Sequence, residues 1–326
     1  MKNEKLCNNC PRMCGINRSE KTGFCGCDDN IRIAKIMKHF GEEPVITGTN
    51  GSGTIFFSGC VLKCPFCQNY PISHKLKGEN YTAEQLEYAI FDLEQQDVHN
   101  INLVSPTQFL DKIIPVLEKC KKSLSIPVVY NTGGYERPEM IDKLSGLVDI
   151  YLPDLKYYDD SYGIKYSKAD NYFYYTSNSI KEMLRQQPEC IIENGIMKKG
   201  VIVRHLVLPT LYKDSIKLME WLATLNNSAF INRNADTDKQ NIESCRSSFS
   251  EKIIDIKRQE PPEAARFLVS VMRQYTPCYD ADKYKELTRR ITTFEYEKVV
   301  DRCAELGLEG FTQLKGCETL DMTPDF

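Results

Sequence analysis

An α/β fold, built as a barrel or partial barrel of parallel strands and preceded by a small cysteine-rich module, is what this chain predicts. Three observations lead there. From residue 53 onward, six short β-prone runs alternate with six segments of helical patterning, the rhythm of strand–helix–strand units. The chain has 326 residues, enough for one barrel of roughly 250 with little to spare. Residues 1–50 differ from the rest, being rich in glycine, cysteine and charge with one short apolar stretch, IRIAKIM. Such a segment has too little apolar surface for a core and reads as a module held together by metal.

In chain order, strands are expected at 54–58, 100–105, 126–130, 147–152, 200–207 and 266–272. The first, Thr54-Ile55-Phe56-Phe57-Ser58, is β-branched and aromatic, and Ser58-Gly59 supplies a sharp exit. Helices are expected at 82–97, 108–122, 137–145, 170–186, 213–225 and 292–306. Thr82 caps the first of these, with Gln85 three residues on to complete a capping box. Strands that each return through a helix run parallel with right-handed crossovers. One polar stretch, 226–262, breaks the rhythm and exceeds ordinary loop lengths. It reads as a flexible insertion in a domain spanning 51–326, with a binding element as the other reading.

Bulk composition excludes several function classes. A net charge of −3 and a pI of 5.9 give no general attraction to nucleic acid. The local basic clusters, such as Lys121-Lys122 and Arg289-Arg290, read as solvated faces. The polar start MKNEKLCNN lacks a signal-peptide core, and no apolar run approaches the roughly 18 residues of a membrane span, so a cytoplasmic protein is expected. In a reducing compartment 14 cysteines are metal ligands or free thiols before they are disulfides, and eight of them fall within the first 67 residues.

The densest chemistry lies in SGCVLKCPFCQN, where Cys60, Cys64 and Cys67 are spaced C-x3-C-x2-C directly after the first barrel strand. Three thiolates on one tight loop can hold three irons of a [4Fe–4S] cluster, leaving the fourth iron free for another ligand. A structural zinc site needs a fourth ligand at ribbon spacing, and a thioredoxin-like CPFC pair has no use for Cys60. A second group, Cys7, Cys10, Cys14 and Cys25, with Cys27 beside it, could close around zinc or a second iron–sulfur cluster. Polar residues follow successive strands: Asn131 and Thr132, then Asp154 and Lys156, and Arg204 within VIVRHLVLP. Barrel enzymes place ligand contacts at such strand ends.

With Phe66 in the aromatic slot of C-x3-C-x-aromatic-C, the chain resembles the radical S-adenosylmethionine (SAM) superfamily. The segments GEEPVITGTNGSGTIFFSGC, YNTGGYE, DIYLPDLKYYD, VRHLVLP and RQYTPCY are similar to the pyruvate formate-lyase-activating-enzyme-like subfamily. The resemblance implies a partial (β/α)6 TIM-like barrel, a [4Fe–4S] cluster on Cys60, Cys64 and Cys67, and SAM at its open iron. Reductive cleavage would then give a 5′-deoxyadenosyl radical that takes hydrogen from a protein or peptide, in the manner of glycyl-radical enzyme activation. It also implies that Phe66 meets the adenine, that Asp154 and Lys156 hold the methionine or ribose portion, and that Arg204 lies near the SAM carboxylate. The N-terminal wording CPRMCGINR and GFC belongs to the same likeness. The expected partners are a protein substrate, which a glycyl-radical enzyme would fit, and a flavodoxin- or ferredoxin-type electron donor. A peptide- or small-molecule-modifying enzyme with an auxiliary cluster, and a non-enzymatic electron carrier, are the alternatives. Two departures stand out: Ser105-Pro106-Thr107 replaces the family's glycine-rich GGE stretch, and Thr210 replaces a glycine after VLP.

Overall fold

The computed structural model describes residues 6–234, 254–255, 266–316 and 324–326, with the backbone alone for 227–234 and 254–255. Its strands are β1 (Ile31–His39), β2 (Ser52–Phe57), β3 (Glu79–Tyr81), β4 (Ile101–Val104), β5 (Val128–Thr132), β6 (Ile150–Pro153), β7 (Ile191–Glu193), β8 (Ile196–Leu206), β9 (Ile254–Asp255), β10 (Leu268–Met272) and β11 (Gly310–Thr312). They form one sheet in the order β3-β1-β2-β4-β5-β6-β8-β10-β11-β9, with β7 hairpinned onto β8. From β2 to β9 every neighbouring pair along that path is parallel. Its two ends, β3 and β9, do not pair with each other. Among the described residues the barrel is therefore partial and open on that side.

Helices α1 (Pro44–Thr47), α2 (Tyr70–Ser73), α3 (Ala83–Gln95), α4 (Leu110–Cys120), α5 (Pro138–Asp142), α6 (Asp160–Ser167), α7 (Tyr172–Gln186), α8 (Tyr212–Asn234) and α9 (Thr293–Glu305) fill the connections. The capping box at α3 is present, Thr82 accepting from Gln85 N–H and Gln85 from Thr82 N–H. Strand alternation divides the core in two. Leu103, Val128, Tyr130, Tyr151, Val201, Val203 and Val269 face outward and pack with the helices. Val129, Ile150, Leu152, Ile202 and Leu268 face inward, where Val45 and Ile46 of α1 pack against them. Short α1 thus fills the barrel interior at the level where the strands begin.

All six expected parallel strands are present, as β2, β4, β5, β6, β8 and β10, and all six expected helices are found. Four of the differences from the sequence reading bear on the architecture. The stretch IRIAKIM does not belong to a separate module ending at residue 50: it is β1, antiparallel along β2, with Ile31 and Ile33 in the main core. A seventh parallel strand, β11, pairs with β10 through Gly310, where a Cβ would lie 1.9 Å from the Val269 carbonyl oxygen. Helix α6 was not foreseen. Finally, α8 continues to Asn234, so the insertion expected from 226 begins as helix. Apart from β9, the remainder of 226–262 lies outside the described residues. No helix among the described residues is long and apolar enough to cross a membrane.

Candidate active site

Alternation along the strands also builds a cavity of about 670 Å³ inside the barrel, above α1. Asn131 from the end of β5, Asp154 and Lys156 beyond β6, and Arg204 near the end of β8 line its wall. Cys64, Phe66 and Cys67 close it from the loop after β2, and Glu42 and Glu43 form its floor just before α1. Of the expected cofactor-binding residues, Phe66, Asn131, Asp154, Lys156 and Arg204 share this space.

Thr132 does not join them. Adjacent residues on a strand point to opposite faces, so with Asn131 inside, Thr132 faces outward. Its hydroxyl donates to Glu136, which is fully buried and also accepts from Thr107 at 2.5 Å. Burial raises the Glu136 carboxyl to about 7, against the pull of the Thr107, Thr132 and Tyr130 hydroxyls. The native state then keeps a proton that the unfolded chain loses from about pH 4.5 upward, so stability falls as pH rises through the window from 4.5 to 7. The full effect is roughly 3 kcal/mol. Glu136→Gln, neutral at every pH and still an acceptor, is expected to unfold at higher temperature than the parent at pH 8 but not at pH 5. Equal pH profiles in anaerobic thermal unfolding would show that Glu136 does not titrate on unfolding.

Arg204 is the hub of the wall. Its guanidinium donates to Glu42 at 3.0 Å, to Asp154 at 3.1 Å and to the Asn131 side-chain oxygen at 2.7 Å. Glu42 in turn accepts from Asn102 at 3.0 Å and from Asn131 at 3.1 Å. Lys156 donates to Asp154 at 2.6 Å. Burial alone would raise the Asp154 pKa, yet Lys156 and Arg204 hold it below the usual carboxylate value. At Glu43 the balance goes the other way: burial raises its pKa despite the pull of Arg204 and a Ser270 hydrogen bond, and one of its oxygens has no partner. Sequence reasoning did not place either glutamate in the site. Their signal, two acidic residues before a proline, becomes meaningful only once α1 turns inward.

The cysteine loop carries a donor at each sulfur. Leu62 N–H lies 3.4 Å from Cys60 Sγ, Ser167 Oγ lies 3.0 Å from Cys64 Sγ, and Ser73 Oγ lies 3.2 Å from Cys67 Sγ. Burial pushes Cys60 up to about 11 and Cys67 up to about 12, the reverse of the low-pKa thiol in a disulfide oxidoreductase. Among the described residues, no three histidine, cysteine or acidic side chains converge on one point as a single metal ion requires. A cubic cluster takes each thiolate at a separate iron, so three spaced sulfurs, each facing a hydrogen-bond donor, fit it. Phe66 is buried at the cavity edge, its ring 5.9 Å from that of Tyr275. His39 reaches the cavity, whereas His74 is occupied by Ser73 at 2.8 Å and by the Tyr279 ring.

The two departures from the family pattern also have structural counterparts. Ser105 adopts φ of 57° and Thr210 φ of 69°, the left-handed conformation that glycine reaches without strain. Gln108 binds the Ser105 carbonyl at 2.8 Å, and Glu295 accepts from Thr210 N–H at 2.6 Å, so each turn is pinned by a side chain.

A strand-delivered three-cysteine loop over a polar cavity in a partial barrel is the arrangement of enzymes that pair an iron–sulfur cluster with SAM. The profile of the Radical SAM superfamily matches residues 54–222, more than half of the chain, and the chain belongs to that superfamily. Membership brings a [4Fe–4S] cluster and SAM as cofactors. "Uncharacterized protein MJ0674" of Methanocaldococcus jannaschii is 29% identical over 315 residues, covering 94% of this chain and 76% of that one. From the same organism, "Putative glycyl-radical enzyme activating enzyme MJ1227" is 31% identical over 115 residues, 34% of this chain and 45% of its own length. Streptococcus suis SuiB, crystallised with its precursor peptide SuiA, superposes with a TM-score of 0.46 at 14% identity, over 79% of this chain and 47% of SuiB.

Proposed function

We propose that this radical SAM enzyme abstracts hydrogen from a protein or peptide, with glycyl-radical enzyme activation as its nearest likeness. The observation that carries the reading is that the cysteine loop and the strand-end polar residues open into one cavity beneath an unclosed barrel side. The partial match to the relative named for glycyl-radical enzyme activation supports the substrate class. In this reading Cys60, Cys64 and Cys67 hold three irons, and Phe66 packs against the adenine. Bound together, the cluster and SAM supply a 5′-deoxyadenosyl radical. Lys156 and Asp154 present a fixed ion pair to the polar end of SAM. Arg204 has its fork filled by Glu42, Asp154 and Asn131, so it acts as a positioning residue that locks those groups rather than as a free carboxylate clamp. Phe56, Leu206 and Met272 keep the wall apolar and exclude water.

Anaerobic reconstitution followed by dithionite and SAM tests the claim. The reduced cluster's electron paramagnetic resonance spectrum is expected to change on adding SAM, and 5′-deoxyadenosine is expected to accumulate. A fully loaded protein that yields neither would end the proposal. Incubation with a glycyl-radical protein then separates substrate classes through the appearance of a glycyl-radical signal on that partner.

A further inference from the structure

Five further cysteines, outside the matched region, gather in the N-terminal segment as free thiols. We propose that Cys7, Cys10, Cys14 and Cys25 hold a second iron–sulfur cluster, packed against the Cys60 loop, with Arg18 as its counter-charge. Two tight turns present these residues. Cys7 N–H donates to Ile16 O at 2.9 Å and Gly15 N–H returns to Cys7 O at 3.0 Å, folding residues 7–16 into a closed loop. Met13 N–H donates to Cys10 O at 3.0 Å within it, and Gly26 N–H to Gly23 O at 2.9 Å forms the second turn. Gly23 lies where the turns meet: a Cβ there would stand 3.5 Å from Cys25 Sγ and 3.6 Å from Cys14 Sγ. Cys7 and Cys10 lie within electrostatic reach of the same two sulfurs.

Arg18 shows what the site expects. It is 5% exposed, its Nη1 donates to the Gln108 carbonyl, and its Nε and Nη2 have no partner. A buried guanidinium with unfilled donors is unfavourable unless it faces an anion. The sulfurs within its electrostatic reach are those of Cys7, Cys25 and Cys27. Four thiolates on an iron–sulfur core leave the net negative charge that would satisfy it.

The two sites touch. Cys27 Sγ is 3.4 Å from the Ser58 carbonyl oxygen, and a Cβ on Gly59 would fall 2.2 Å from Cys27 Sγ and 3.0 Å from the Cys25 carbonyl oxygen. Arg12 donates to the Val61 carbonyl at 2.9 Å. Gln108 donates to the carbonyls of Ser58 and Gly59 while its own carbonyl accepts from Asn9. Cys27 thus packs between the two sites, its sulfur hydrogen-bonded to that of Cys25 as well.

The test uses the full chain with Cys60, Cys64 and Cys67 replaced by alanine, so it does not depend on SAM chemistry. Reconstituted anaerobically and folded by circular dichroism, this variant is expected to keep about two to four irons with equal labile sulfide. One zinc without sulfide, or no metal, overturns the proposal and leaves the enzyme claim untouched. In the same background Cys27→Ala keeps the metal, and Arg18→Gln moves the cluster's midpoint potential to a more negative value. An unmoved potential removes Arg18 from the site. In the parent protein reduced at both sites, spin–spin splitting in the paramagnetic resonance spectrum reports their contact, and uncoupled signals would refute it.

Discussion

Exchange of Cys64 for serine is expected to abolish 5′-deoxyadenosine formation while leaving the fold in place. Cys64 is buried against Ser167, and a serine hydroxyl is smaller and can still bond across that contact. What it cannot do is remain a soft, anionic ligand to iron. A loop that offers only three thiolates has none in reserve, so losing one leaves two and the cluster is not retained. Iron at this loop should fall by about four per chain with product at background, while thermal unfolding shifts by only a few degrees. Cys120→Ala is the control: that thiol is buried on α4 in the outer layer, away from the cavity, and its loss should spare product formation. Full activity in the Cys64 variant would remove this loop from the reaction.

Arg204→Leu is expected to cost roughly 3–5 kcal/mol of stability, the usual result of stranding buried charge. Leucine fills much of the volume but leaves Glu42 and Asp154 facing each other across the space the guanidinium held, with the Asn131 side-chain oxygen unpaired. Lys156 still supports Asp154, so Glu42 bears most of the penalty. Adding Glu42→Gln to the Arg204 variant should therefore recover part of the loss, a coupling that a double-mutant cycle in urea measures directly. Arg204→Lys should not rescue it, because one ammonium cannot span three acceptors set around a planar fork. Additive single losses would show that the pair is not coupled.

Much of the architecture was readable because each parallel strand is buried on both faces and so appears as a continuous apolar run. The cysteine loop was readable because its three cysteines lie within eight residues of one another. Asn131, Asp154 and Arg204, chosen by their position after successive strands, share one cavity, whereas Thr132, chosen by the same rule, lies outside it. A period of two forbids Asn131 and Thr132 from facing one cavity, so choosing both contradicted strand geometry. Strand β1 was hidden by its surroundings: Ile31 and Ile33 alternate as a strand should, yet they sit among glycines, cysteines and charges. Gly310–Thr312 is too short to register as a run. Glu42 and Glu43 fall in the GEEP run that the resemblance covers, but only the inward path of the β1–β2 connection brings them beside Arg204.

That inward path has a further consequence. Val45 and Ile46 pack across the lower end of the barrel, so among the described residues the chamber is closed at its base. Whatever is consumed in it and whatever is left behind must pass by the upper or the open side. Spent methionine and nucleoside cannot drain through the base while a new reactant waits above. Turnover thus requires the upper side to clear between cycles, and accumulated cleavage products should compete with fresh reactants for the opening.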